Sequence, residues 1–585
     1  MPRFFLTFLI SQFFTLPLMA QQAADAIAPE PAVQAAMDAK NDNRPVDAEN
    51  WMVVAANPHA VNAGAKILAQ GGTAADAMIA VQTVLGLVEP QSSGLGGGAF
   101  LVWYDAETRA LTTLDARETA PLAATPRLFQ NADGSPKKFF DAVVGGLSVG
   151  TPGTPMLLQE AHRRWGRANW NTLFDDAITL ADNGFSVSPR LAALVARDAE
   201  RLARFPTTAA YFLPDDTPII EGDTLKNPNY ANTLRALSTQ GADALYTGPI
   251  ARDIVGTVQN ATGNPGVLSM IDLAIYRVIE RPAVCATYRA HEVCGMGPPS
   301  SGALTVGQIL GILRDVDLRA LGPDNAESWR LIGDASRLAF ADRGRYMADS
   351  DFVPMPTLGL LDTGYLADRA TLLDRATALE TAAPGAPKWD HAQLYADDQS
   401  IEFPSTSHIS IVDRYGNALS MTTTIENGFG SRLMTSGGFL LNNELTDFSF
   451  RTHRDGVPIA NRIEPGKRPR SSMAPTIVLR DGAPVLVIGS PGGSRIIGYV
   501  AQSIIAYLDW DMDVQQAVAM PHLVNRFGTY DIEEGTSAAG FESALTAKGF
   551  KVKLRGLNSG LHAISIGETL QGGADPIREG IAIGG

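Results

Sequence analysis

Thr406 opens the alternating run Thr406-Ser407-His408-Ile409-Ser410-Ile411-Val412-Asp413, whose period of two predicts a half-buried strand. Loose, polar chain precedes it. If the Ser405–Thr406 bond were cut, a single residue would carry both a hydroxyl and a new α-amine. Such an amine has a pKa of about 8 in small peptides, so it can serve as general base for its own hydroxyl near neutral pH. Taken alone, the stretch reads more simply as an ordinary strand threonine, because threonine favours strands. A second candidate is Ser490-Pro491-Gly492-Gly493-Ser494, between a predicted strand and a predicted helix. Glycines there leave backbone N–H groups free to meet an anion, either a phosphate or a developing oxyanion. Gly94-Leu95-Gly96-Gly97-Gly98-Ala99 fits the spacing of a dinucleotide fingerprint, but that motif needs a strand before it and a helix after. Here the order is reversed, and close backbone approach is the inference drawn. Arg117 on its own reads as a surface ion pair.

The elements that must position these residues follow from periodicity and punctuation. A helix is predicted through Ala60 to Gln70, stopped by Gly71-Gly72. Thr73 and Asp76 form the capping pair of the next helix, which runs to about Val88. Phe100–Tyr104 reads as a strand, and the chain from Thr154 to Thr381 is mostly helical, including Pro155–Trp165, Trp170–Asn183, Pro189–Phe205 and Ala326–Tyr346. Those periodicities speak of packing, not chemistry. Residues 381–405 hold Pro384, Pro387 and Pro404 with several aspartates, a linker by composition. Beyond it the chain turns to hairpins: Thr406–Asp413 with Ala418–Glu426, and Ser472–Arg480 with Pro484–Ser490 around Asp481-Gly482, before the helix Arg495–Trp510. Hairpins combined with helices predict α+β layers.

At 585 residues, 45% of them hydrophobic, the chain can bury a large core. A net charge of −15 argues against binding nucleic acid or an anionic membrane by bulk charge. Residues 1–20 read as an export signal: Arg3, an apolar stretch from Phe4 to Leu18, then Leu18-Met19-Ala20 before Gln21. A periplasmic or secreted protein without a stable membrane anchor is expected. Residues 21–50 look like a mobile mature N-terminus, with order beginning at Met52. Cys285 and Cys294 are the two cysteines, flanking a segment that can turn at Arg289-Ala290 and set them face to face. An oxidising compartment favours a disulfide. Two buried thiols are the alternative, and a metal site finds too few ligands.

Five features stand in one chain: the Thr406 strand start, Asn442-Asn443-Glu444-Leu445-Thr446-Asp447, Lys467-Arg468-Pro469-Arg470-Ser471-Ser472-Met473, Ser490-Pro491-Gly492-Gly493-Ser494-Arg495, and Gly94–Gly98 with Arg117. As an ordered set they closely resemble the γ-glutamyltransferase family, from about Val53 to Gly585. The resemblance implies an N-terminal-nucleophile hydrolase with a four-layer αββα fold. It implies a precursor that cuts itself at Ser405–Thr406, giving a large subunit, 21–405, and a small one, 406–585. Thr406 matches the nucleophile, Thr424 the residue that hydrogen-bonds it, and Gly492 and Gly493 the oxyanion hole. Arg117, Ser471 and Ser472 match the groups that hold the donor's α-carboxylate; Glu444 and Asp447 match those that hold its α-ammonium. The donors implied are glutathione-like, with water, amino acids or peptides as acceptors. No cofactor or metal is expected.

Elementary chemistry agrees with that division. A γ-glutamyl donor is a zwitterion, so a guanidinium fork with two hydroxyls suits its carboxylate and paired acids suit its ammonium. Attack would give an ester on Thr406, resolved by water or an amine. The sequence departs from the family pattern where many members have Asn: it has Glu426, an acid also found in some bacterial members and in cephalosporin acylases. The Phe448–Pro469 segment is shorter than the longest lids, with Asp455 near the place of a lid aromatic. Two rival readings follow. One is a cephalosporin-type (glutaryl) acylase on the same scaffold. The other is a non-catalytic periplasmic amino-acid-binding protein.

Overall fold

The computed structural model describes residues 30–585 except 392, 399, 401 and 404. The export signal predicted over residues 1–20 lies outside the described residues. Two seven-stranded sheets, antiparallel throughout, lie face to face. The first runs Ile581–Gly584, Met52–Ala55, Ser407–Val412, Ala418–Thr424, Gly98–Asp105, Ala110–Ala116, Ile279–Arg281. The second runs Val46–Ala48, Leu570–Ala574, His562–Ile566, Ala483–Gly489, Thr476–Arg480, His291–Gly295, Val284–Tyr288. Each sheet thus combines strands from before and after the Ser405–Thr406 bond.

Between the sheets lies a core that includes Met52, Val54, Val102, Val412, Ile477, Val487 and Ile564. The outer face of the first sheet packs on helices that include Pro58–Ala69 and Ala74–Val88. The outer face of the second packs on Gly302–Ile312, Ala326–Tyr346 and Ile496–Leu508. This is the four-layer αββα arrangement that was expected.

Local chemistry explains the junctions. Thr73 and Asp76 form the predicted capping box. Asp481 and Gly482 both have positive φ, 52° and 73°, the backbone a two-residue hairpin turn needs. Cys285 pairs directly with Cys294 across the hairpin that turns at Arg289-Ala290. Their Cα atoms are 4.0 Å apart and the two form a disulfide. The glycine run is a close-approach device: a Cβ on Gly96 would sit 2.1 Å from the Leu440 carbonyl oxygen, and one on Gly97 2.0 Å from that of Thr424. A helix precedes the run and a strand follows it, as the rejection of the dinucleotide reading requires.

Four expectations need correcting. Order begins well before Met52: Pro31–Asn41 is a helix that buries Val33, Ala36 and Ala39. Lys40 anchors it by donating to the carbonyls of Arg578 (2.5 Å) and Gly580 (2.8 Å). The Thr406 strand is buried on both faces, not one, because its polar residues pair with other polar groups rather than with water. His408 bonds Thr422 and Ser410, and Ser410 donates to the His562 carbonyl of the facing sheet. Pro189–Phe205 ends as a helix at Leu202, and a new one starts at Pro206. Lastly, the described part of 381–405 has no regular secondary structure, yet it is no free tether: Tyr395, Asp398, Glu402 and Ser405 are buried.

Candidate active site

Antiparallel register places the first pair of hydroxyls. Ser407 lies opposite Thr423, so Thr406 and Thr424 face each other one step further on. Their Oγ1 atoms are 3.2 Å apart. Thr424 Oγ1 also donates to the Ser405 carbonyl at 2.9 Å, and Thr406 Oγ1 donates to that same oxygen. The carbonyl before the candidate nucleophile is therefore polarised by two hydroxyls while the bond is intact. Arg578 donates to the Thr406 carbonyl at 2.7 Å, and Ser405 Oγ donates to the Gln91 carbonyl at 2.7 Å. The residue is held on both sides.

A narrow cavity opens onto Thr406. Arg117, Glu402, Thr424, Glu426, Glu444, Asp447, Ser471 and Gly493 line it with Thr406. Arg117 enters from the end of the strand Ala110–Ala116. Glu444 and Asp447 come from a single 3₁₀ turn, Glu444–Asp447, which brings both acids to one side. Arg117 is 1% exposed and pairs with Glu444 through Nη1 and with Asp447 through Nη2, the latter at 2.5 Å. Burial opposes its charge, but the two acids outweigh burial and hold the guanidinium more firmly protonated than an ordinary arginine. Burial also pushes the carboxyls of Glu426, Glu444 and Asp447 well above the usual range, and repulsion among neighbouring acids adds to it. Glu118, wholly buried behind Arg117, is pushed up to about 8, chiefly by burial. Glu444 Oε2 and Asp447 Oδ1 are buried with no hydrogen-bond partner among the described residues. The wall carries more acid than cation.

The glycine turn reaches the same cavity through Gly493. Gly492 and Gly493 have φ of 138° and 58°, left-handed backbone that favours glycine. Strand Ala483–Gly489 leads into them and a single 3₁₀ turn leads out to helix Ile496–Leu508.

Of the predicted site residues, Arg117, Thr406, Thr424, Glu426, Glu444, Asp447, Ser471 and Gly493 line the cavity, while Gly492 and Ser472 adjoin it in sequence without lining it. Arg117 bonds the acids Glu444 and Asp447 and the carbonyls of Pro469 and Arg470. Ser472 is bonded instead by Arg343, whose Nη2 donates to its Oγ at 2.8 Å. Arg343 and Glu402 were not singled out from the sequence. Arg343 lies in the helix Ala326–Tyr346, whose periodicity reads as packing, and Glu402 lies in a stretch whose composition reads as linker. Neither carries a local signal, because what joins them is the fold.

Comparison with known proteins gives one consistent result. The family model described as Gamma-glutamyltranspeptidase matches residues 60–585. The glutathione hydrolase proenzyme of Bacillus subtilis strain 168 is 36% identical over 551 residues, covering 92% of each chain. The Acylase ACY 1 proenzyme of Pseudomonas sp. strain SE83 is 33% identical over 531 residues, covering 90% of this chain and 91% of that one. Among solved structures, the cephalosporin acylase of Bacillus halodurans superposes with a TM-score of 0.81 over 93% of this chain and 97% of its own. At 24% identity, that match speaks for the fold alone.

Proposed function

The chain belongs to the gamma-glutamyltranspeptidase family, and from that membership we propose that it transfers and hydrolyses the γ-glutamyl group of glutathione-like donors, with Thr406 as nucleophile. Maturation comes first. Thr406 Oγ1 attacks the Ser405 carbonyl carbon while Thr424 donates to its oxygen; the C–N bond breaks, and the nitrogen takes a proton to become the free α-amine of Thr406. Water then cleaves the resulting ester, leaving a Ser405 carboxylate and a free Thr406 hydroxyl. Two subunits result, 21–405 and 406–585, from an exported precursor. In turnover the amine takes the hydroxyl proton and Thr406 attacks the donor's γ-carbonyl. The backbone N–H groups of Gly492 and Gly493 stabilise the oxyanion. The leaving amine takes the proton as it departs, and water or an amino-acid or peptide amine resolves the ester.

One observation carries this reading: the acid-rich wall beside Thr406. Glu426, Glu444 and Asp447 are buried with raised proton affinity, and two of their oxygens have no partner among the described residues. A donor's α-ammonium supplies the missing positive charge, while its α-carboxylate goes to Arg117, Ser471 and Ser472. A glutaryl donor would bring a carboxylate and no ammonium. Losing a charged hydrogen-bond partner costs about 1.5–3 kcal/mol, or about 10- to 150-fold in rate. γ-Glutamyl amides should therefore be cleaved at least about tenfold faster, by kcat/KM, than matching glutaryl amides. Equal rates would hand the case to the second reading, a glutaryl acylase, which the 33% identity to Acylase ACY 1 keeps in view. N-terminal sequencing of the small fragment should read Thr-Ser-His-Ile. Thr406→Ala should stay full length and lose at least about 1,000-fold in activity. A wild-type protein that stays in one piece would favour a binding protein without chemistry.

A further inference from the structure

In the uncut chain the candidate site is already occupied, by the chain itself. Glu402 is buried, and its carboxylate bonds Arg343 Nη2, the same atom that donates to Ser472 Oγ. The Phe403 N–H donates to Glu426 Oε1 at 3.1 Å. The Glu402 carbonyl accepts from the Ser494 N–H at 3.3 Å, and a Cβ on Gly493 would lie 2.5 Å from that oxygen. A carboxylate thus sits on the arginine that bonds Ser472, an N–H on Glu426 and a carbonyl on the glycine turn. A γ-glutamyl donor would present its α-carboxylate, α-ammonium and γ-carbonyl to those same three places.

We infer that Arg343 is a donor-carboxylate-binding residue, and that Glu402 fills its place until the bond before Thr406 breaks; the inference rests on the γ-glutamyl reading above. Glu402 lies four residues before the cut, so cleavage turns its anchored segment into a chain end that can leave. Its departure strips the shared carboxylate from two buried cations. Arg343 is fully buried, with Nε donating to Ser301 Oγ at 2.8 Å and Nη1 without a partner among the described residues. Arg470 Nε lies 4.0 Å from Glu402 Oε1, and its Nη2 bonds Asp398 at 3.2 Å. Burial, with Arg470 as neighbour, lowers the affinity of Arg343 for its proton to about 10, so the pair needs an anion back. The donor's α-carboxylate is the anion that arrives. Arg117, the serine hydroxyls and Arg343 then act as one carboxylate clamp, with Ser301 orienting the Arg343 guanidinium.

The test compares two donors with the same leaving group: a γ-glutamyl amide, and the 4-aminobutanoyl amide that lacks only the α-carboxylate. Wild type should prefer the first by at least about tenfold in kcat/KM. In Arg343→Met this ratio should collapse more than threefold, mainly through KM, and Arg343→Lys should recover part of it. A ratio within threefold of wild type overturns the inference, because a merely structural role would slow both donors alike. Should Arg343→Met fail to mature, a second measurement stands on the uncut chain. L-Glutamate at millimolar concentration should raise the melting midpoint of Thr406→Ala/Glu402→Ala by several degrees and leave Thr406→Ala unmoved. Equal shifts, or none in either, overturn the inference. If wild type instead prefers glutaryl amides, the γ-glutamyl reading fails by itself, and the pair glutaryl amide and butanoyl amide reads Arg343 by the same ratio.

Discussion

Arg117 and Arg343 are the same residue type at the same depth, 1% and 0% exposed; the first lines the cavity and the second bonds Glu402, which lines it too. Their proton affinities nevertheless move in opposite directions, up for Arg117 and down to about 10 for Arg343. Burial opposes the charge of both, so burial does not decide the sign. Neighbours do: Arg117 has two acids to itself, whereas Arg343 shares Glu402 with Arg470. The partners also differ in permanence. Glu444 and Asp447 are fixed by a 3₁₀ turn within the body of the fold, while Glu402 belongs to a stretch whose described residues form no regular structure and which ends at the proposed cut. On the proposed reading, Arg117 meets the donor's α-carboxylate from a fixed frame of acids, whereas Arg343 meets it only once Glu402 has left.

Removing the wall should have the largest effect. Arg117→Met leaves Glu444 and Asp447 buried without their cation, and breaking a buried pair in this way costs about 3–5 kcal/mol. A fall in kcat/KM of at least about 100-fold together with a lower melting midpoint is expected; a loss under about tenfold would erase the contrast with Arg343. Next comes the surface against which Glu402 is laid. Gly493→Ala puts a Cβ 2.5 Å from the Glu402 carbonyl oxygen at φ 58°. It should slow maturation about tenfold or more, since left-handed backbone alone costs roughly 1–2 kcal/mol outside glycine. Gels following precursor over time measure it.

A smaller effect comes from Glu118, behind the wall. Its folded proton affinity, about 8, lies above the ordinary value, so the folded state holds the extra proton. The stabilisation this gives is complete below the ordinary carboxylate range and is lost as pH rises through about 8. The melting midpoint should decline between about pH 5 and pH 8, and Glu118→Gln, neutral at every pH, should flatten that decline. An unchanged slope would mean that Glu118 is ionised throughout. The smallest effect belongs to the disulfide. Cys285→Ser with Cys294→Ser opens a short loop worth at most about 2–3 kcal/mol. Activity should stay within about twofold, and thiol labelling of the unreduced, denatured wild type should find no free cysteine.

How legible was this in the sequence? Residues whose roles are local could be read directly. The Thr73–Asp76 cap, the Asp481-Gly482 turn, the facing cysteines and the Gly492-Gly493 turn each announce themselves within a few positions, because caps and turns are set by neighbouring backbone. Thr406, Thr424, Glu444 and Asp447 came from an ordered motif set, and the fold gathers them around one cavity. The pairing of Arg343 with Glu402 was not legible, since nothing in a helical period or a proline-rich stretch says that the two will meet. The helix Pro31–Asn41 was missed for the same reason: its Ala- and Asp-rich composition looks loose, and only docking through Lys40 and three small buried residues makes it worth forming. Polar residues at alternate positions of the Thr406 strand suggested water where the fold supplies a second sheet.

The interleaved sheets bear on what happens after the cut. Ser407–Val412 hydrogen-bonds on one side to Met52–Ala55, and Ala418–Thr424 to Gly98–Asp105. In the other sheet Thr476–Arg480 is paired with His291–Gly295, and Leu570–Ala574 with Val46–Ala48. Breaking Ser405–Thr406 severs none of these ladders, so the two pieces stay together without any tether. Renaturation is another matter. In the uncut chain these strands meet at an effective concentration on the order of millimolar, whatever the dilution. For the cut protein the same strands must find each other at the actual concentration in solution. Recovery from urea should therefore be independent of dilution for Thr406→Ala and fall steeply with dilution for the matured enzyme, so that maturation makes a reversible fold a one-way product.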